Sequence, residues 1–61
     1  MNEERARGIL KGTLQKDGSL YDPGHYVAWS PGDKTVVLDD DFTIEELEAI
    51  VWWTRNQGKA P

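Results

Sequence analysis

Apolar residues recur with period two along most of this chain and change to a helical spacing near its end. Over 8–15, Ile9, Lys11 and Thr13 alternate with Leu10, Gly12 and Leu14. That alternation predicts a half-buried strand whose more apolar face is Leu10 and Leu14. Lys16-Asp17-Gly18-Ser19 reads as a hairpin turn, because Asp-Gly tolerates the positive φ such turns require. A second strand is expected over 20–30, bent or locally unpaired at Asp22-Pro23-Gly24, where proline removes a donor. Within it His25, Val27 and Trp29 share one face, and Tyr26, Ala28 and Ser30 the other. Ser30-Pro31-Gly32-Asp33 is a second tight turn, and 34–39 a third strand centred on Thr35, Val36, Val37 and Leu38. Met1 to Arg7 is polar and poor in β-branched residues, and is expected to fray.

From Phe42 the spacing changes. Thr43 with Glu46 three residues on forms a capping box, and Phe42 and Leu47 stand at the two positions of a hydrophobic staple. Glu45, Glu46 and Glu48 lie near the start of this segment, Arg55 and Lys59 near its end, and Gly58 fits the C′ position. A helix over 43–57 follows. At about 100° per residue, Ile44, Leu47, Ile50, Val51 and Thr54 fall in one arc of about 120°, the expected core face. Trp53 flanks that arc on the Ile50 side and Trp52 on the opposite side, so the two rings cannot point at one core centre.

Turn signals between successive strands imply a meander. The expected fold is α+β: a three-stranded antiparallel sheet with one C-terminal helix on one face, in the order β-β-β-α. If the helix covers Leu10, Leu14, Ala28, Val36 and Leu38, then Val27, Trp29 and Val37 face outward as an aromatic contact patch. The reverse register moves that patch without removing it.

At 61 residues the chain reads as one small domain, 1–61, with a marginal core. It has no cysteine and one histidine, which excludes disulfides and Cys- or His-rich metal sites as staples and leaves oligomerisation. Absence of cysteine is compatible with a reducing cytoplasm, and the charged N-terminus does not read as a signal peptide. No apolar run approaches the roughly 20 residues a membrane span needs. Net charge is −4. Residues 1–16 sum to +2, whereas Asp39, Asp40, Asp41, Glu45, Glu46 and Glu48 make an acidic pole of −6 with no base among them.

The run HYVAWSPGDKTVVLDDDFTIEELEAI resembles short proteins encoded by phages and prophages. A Tyr-Val-x-Trp strand, a Pro-Gly turn, a Val-x-Leu-Asp strand and Phe-Thr-x-Glu-Glu-Leu opening a helix carry the likeness, which covers residues 8–57. The resemblance implies a phage-like origin and action inside a bacterial host. It transfers no functional residue.

Catalysis is not expected: His25 beside Tyr26 reads as a strand-edge residue, and no other acid, base or nucleophile stands out. Asp39-Asp40-Asp41 does not make a calcium loop, because the sixth and twelfth positions are Ile44 and Ile50. Gly24 and Gly32 follow prolines and belong to turns rather than to a phosphate loop. Neither a cofactor nor a metal is expected. Three readings remain. The first is a protein-binding module, a modulator or inhibitor of a host protein, acting through Val27, Trp29, Trp52 and Trp53. The second is a structural protein that uses its Trp surfaces to form a homodimer. The third is mimicry of nucleic acid by the acidic pole. Direct nucleic-acid binding through Arg5, Arg7, Lys11 and Lys16 ranks last, because these bases are sparse.

Overall fold

The computed structural model describes residues 1–57. The elements are α1 (Glu3–Ile9), β1 (Leu20–Asp22), β2 (Val27–Trp29), β3 (Val37–Leu38) and α2 (Ile44–Gln57). The sheet is antiparallel with order β1-β2-β3. The three strands and the C-terminal helix match the expected order, with α1 added. Gly58 and Lys59, expected at the helix C-terminus, lie outside the described residues.

The N-terminal segment departs from the expected order. Glu3–Ile9 is helical: the Asn2 side chain caps the helix by accepting from Arg5 N–H at 2.8 Å, and Arg7 Nε donates to Glu3 at 2.8 Å. The strand expected over 8–15 is absent. Leu10 N–H donates to Ala6 carbonyl at 2.9 Å and Leu14 N–H to Leu10 carbonyl at 2.8 Å, so helical turns run on to Leu14. Of that strand only a single bridge, Leu14 to Leu20, remains. Leu10 and Leu14 are four residues apart, a spacing that fits a helix face as well as a strand face. Ala6 extends the same series, and Ala6 and Leu10 are both buried.

The loss of one strand is offset by the splitting of another. Asp22-Pro23-Gly24 makes a full turn between β1 and β2, with Gly24 N–H donating to Asp22 Oδ1 at 3.0 Å. At the Pro-Gly turn Asp33 N–H donates to Ser30 carbonyl at 2.9 Å, and Gly32 takes φ 99°, as a type II turn requires of its third residue. Gly18 takes φ 89° in the Asp17-Gly18 turn.

One sheet face turns inward. The register pairs Leu20 with Trp29 and Asp22 with Val27, and Leu20, Val27 and Trp29 are buried. Tyr21, Ala28 and Val37 pair on the other face, where Tyr21 and Val37 are exposed. The expected outward placement of Val27 and Trp29 is therefore reversed, while Val37 does face out. The inward face meets Ala6 and Leu10 from the α1 region, and Ala49, Ile50 and Trp53 from α2, in one cluster.

α2 is rolled relative to expectation. Its buried residues Ala49, Ile50 and Trp53, with half-buried Glu46, define an arc turned by roughly 110° from the expected one. The expected arc counted aliphatic residues. Burying one tryptophan removes about 150–250 Å² from water, and its N–H then needs a partner. Trp53 finds both: it is 1% exposed, and its Nε1 donates to the Gly18 carbonyl at 2.8 Å. Ala6 and Ala49 are fully buried where α1 and α2 pack, and small side chains let helices approach closely. Arg7 lies 5.0 Å over the Trp53 ring, and Arg5 pairs with Glu45, which holds α1 across α2.

Candidate functional site: the outer face of the C-terminal helix

Rolling Trp53 inward turns other apolar residues outward. Ile44 is 74% exposed and Val51 47% exposed, though both were expected in the core. With half-buried Leu47 and Trp52, with Met1, and with Glu48, Arg55 and Asn56, they line an open groove. At 100° per residue these helix residues span about 140°, centred opposite the core arc. Glu48 and Arg55 fall inside this arc, so the outer face of α2 is an aliphatic row of Ile44, Leu47 and Val51 with charge set between it and Trp52. An ordinary surface helix is polar on its outer face.

The start of α2 is capped. Thr43 N–H donates to Glu46 Oε1 at 2.8 Å, and Glu46 N–H donates to Thr43 Oγ1 at 3.0 Å, completing the expected capping box. Phe42 is half-buried against the core and lies 4.0 Å from the His25 ring.

The expected partner-binding residues separate. Val27, Trp29 and Trp53 are interior, and both indole N–H groups are used internally: Trp29 Nε1 donates to Asp33 carbonyl at 3.0 Å. These three offer a partner almost no surface. Trp52 alone reaches the groove, with its ring centroid 6.4 Å from that of Trp53. Ile44, Leu47 and Val51 were missed as surface residues. The adjacent tryptophans, which could not share one core, were the sequence signal that could have found them.

Half of the acidic pole is engaged within the chain. Glu45 pairs with Arg5, and Glu46 closes the capping box. Asp40 Oδ1 accepts from Asp41 N–H at 2.8 Å. His25 stands between two carboxylates, with Nδ1 3.4 Å from Asp40 and Nε2 3.5 Å from Glu46. Nε2 is enclosed without a hydrogen bond, and becomes an ion-pair partner only when the ring is protonated. Among the described residues, the side chains of Asp39, Asp41 and Glu48 remain for outside contacts. No three His, Cys, Asp or Glu side chains of the described residues are placed to hold a metal ion. The turn carboxylate Asp17 accepts from Ser19 Oγ at 2.6 Å and from Ser19 N–H at 2.9 Å, which holds its pKa below the usual Asp value.

No family model, curated protein or solved structure matches this chain. Among the described residues no helix is long and apolar enough to cross a membrane.

Proposed function

We propose that this chain is a protein-binding module whose contact surface is the outer face of α2. The observation that carries the reading is the stripe of Ile44, Leu47, Val51 and Trp52, exposed or half-buried along one helix face and lining one groove. Contiguous apolar surface of this kind marks interaction sites, whereas scattered single apolar residues do not. A half-buried tryptophan beside aliphatic neighbours is a common feature of binding hot spots. The resemblance to phage and prophage proteins supports a setting inside a bacterial host. Mimicry of nucleic acid is less well supported, because Arg5 and the helix cap already engage Glu45 and Glu46 of the acidic pole.

A photo-crosslinking residue at Val51 tests this reading in cells. Adducts to a protein, a second copy included, are expected from Val51 and not from Lys16, which lies on a turn remote in sequence. Equal labelling from both positions, or none from Val51, refutes it.

A further inference from the structure

Among the described residues, His25 Nε2 is the buried side-chain nitrogen without a hydrogen-bond partner. Enclosed polar atoms are otherwise paired, so an unpaired one needs a reason. Its surroundings supply one. Glu46 Oε2, on α2, lies 3.5 Å away, and the other ring nitrogen, Nδ1, lies 3.4 Å from Asp40 Oδ2 on the connection between β3 and α2. Phe42, packed against the core, lies against the ring with centroids 4.0 Å apart. The two charges in ion-pair reach of the ring are both negative, and among the described residues neither carboxylate pairs with a lysine or arginine. On the turn that carries His25, Asp22 Oδ1 already accepts from Gly24 N–H, and Tyr26 meets Tyr21 edge to face.

We propose that His25 is a proton-dependent latch: once protonated, it bridges Asp40 and Glu46 and ties the turn between β1 and β2 to the start of α2. A neutral imidazole carries one N–H, so it donates to one of the two carboxylates only. Its other nitrogen then turns a lone pair toward the second carboxylate, and two acceptors oppose each other. At Nε2 that lone pair is also shut off from water. A protonated ring donates from both nitrogens and meets both anions. Burial works against a charge, but the side chain keeps 35% of its surface exposed, and two carboxylates face a single cation. Glu46 extends the latch into the helix. Its Oε1 accepts the Thr43 N–H of the capping box, while its Oε2 faces His25. In the unfolded chain water serves both ring nitrogens, and the two carboxylates are not held beside them. A folded state that takes up the proton more readily than the unfolded chain gains stability as pH falls through the histidine range, at about 6.5, and loses it as pH rises.

Thermal melts of the purified full chain at about pH 5.5 and about pH 7.5, on either side of the histidine range, test the proposal. His25 is the only histidine, so a change that disappears with it belongs to it. The rise in melting temperature at the lower pH is expected to be roughly 4 °C larger in the parent than in His25→Gln. A second variant combines Asp40→Asn with Glu46→Gln and removes both anions. Gln at 46 still completes a capping box, and Asn at 40 keeps an oxygen for the Asp41 N–H, so the local hydrogen bonds remain. This variant leaves the His25 ring and its Phe42 contact in place, and it carries the test if His25→Gln does not fold. Its rise is expected to match that of His25→Gln and to fall short of the parent. Equal rises in the parent and His25→Gln overturn the proposal. So does the full parental rise in the variant without the two anions, or a parent with no rise at all.

Discussion

At the scale of single residues, Trp53 decides more than any other side chain. It fills the centre of the core, and its indole N–H ties α2 to the turn at Gly18. Trp53→Phe leaves a void and a buried carbonyl without a donor, for an expected cost of about 2–4 kcal/mol. Trp52→Phe, at a half-buried ring, should cost less than about 1 kcal/mol. Urea unfolding of the two variants measures the difference, and equal losses would show that the indole bond contributes nothing. Asp17 gives a second prediction at this scale. Its folded pKa is depressed, first by the Ser19 hydroxyl and then by the Ser19 N–H. The stability it contributes is present above the ordinary Asp value near 3.9 and is lost as pH falls through the lower folded value. Asp17→Asn should therefore flatten the acid limb of the stability profile below about pH 4, and thermal melts from pH 2 to 6 check it.

At the scale of elements, the start of α2 was legible and its rotation was not. Thr43 and Glu46 make a local motif, so the residues that specify the cap are also the residues that form it. Thr43→Ala should cost about 1 kcal/mol, which lowers the melting temperature of a domain this small by roughly 4–8 °C. An unchanged melting temperature would show the cap to be dispensable. Rotation depends instead on what α2 packs against, and that includes α1, an element the strand-like alternation over 8–15 concealed. A pair of substitutions reports the rotation directly. Ile50→Ala should cost about 2–5 kcal/mol, whereas Ile44→Gln should stay within about 0.5 kcal/mol of the parent. Thermal or urea unfolding separates them. A large loss at Ile44 would mean that the aliphatic arc, and not the Trp53 side, faces the core.

At the scale of the whole molecule, α1 is part of the core rather than a loose leader to it. Ala6 is fully buried, Leu10 immediately follows α1 and is buried, and Arg5 and Arg7 reach across to Glu45 and Trp53. Removing residues 1–9 should therefore unfold the domain, read as loss of amide dispersion in a two-dimensional NMR spectrum. Retained dispersion would support the frayed N-terminus that the polar sequence suggested. The two edges of the sheet also differ. Tyr21 N–H on β1 donates to Thr13 carbonyl, and Gln15 Nε2 donates to Tyr21 carbonyl, so chain from the α1–β1 connection covers that edge. The opposite edge is β3, which is only two residues long, and short edge strands resist pairing with other chains.

The sequence by itself determined the features that depend on neighbours along the chain. These are the Asp-Gly and Pro-Gly turns and the cap of α2. Each is a short-range arrangement of φ angles and hydrogen bonds, complete within four or five residues. The tertiary structure alone decided whether the spacing of Ala6, Leu10 and Leu14 became helix or strand, which face of β2 turned inward, and which side of α2 met the core. Those choices are settled by packing among residues far apart in sequence, as Trp53 and Gly18 show at a separation of 35. Two tryptophans placed side by side on a helix cannot both be central. Once Trp53 took the interior, Ile44 and Val51 were left on the outside, and the candidate contact surface is the consequence.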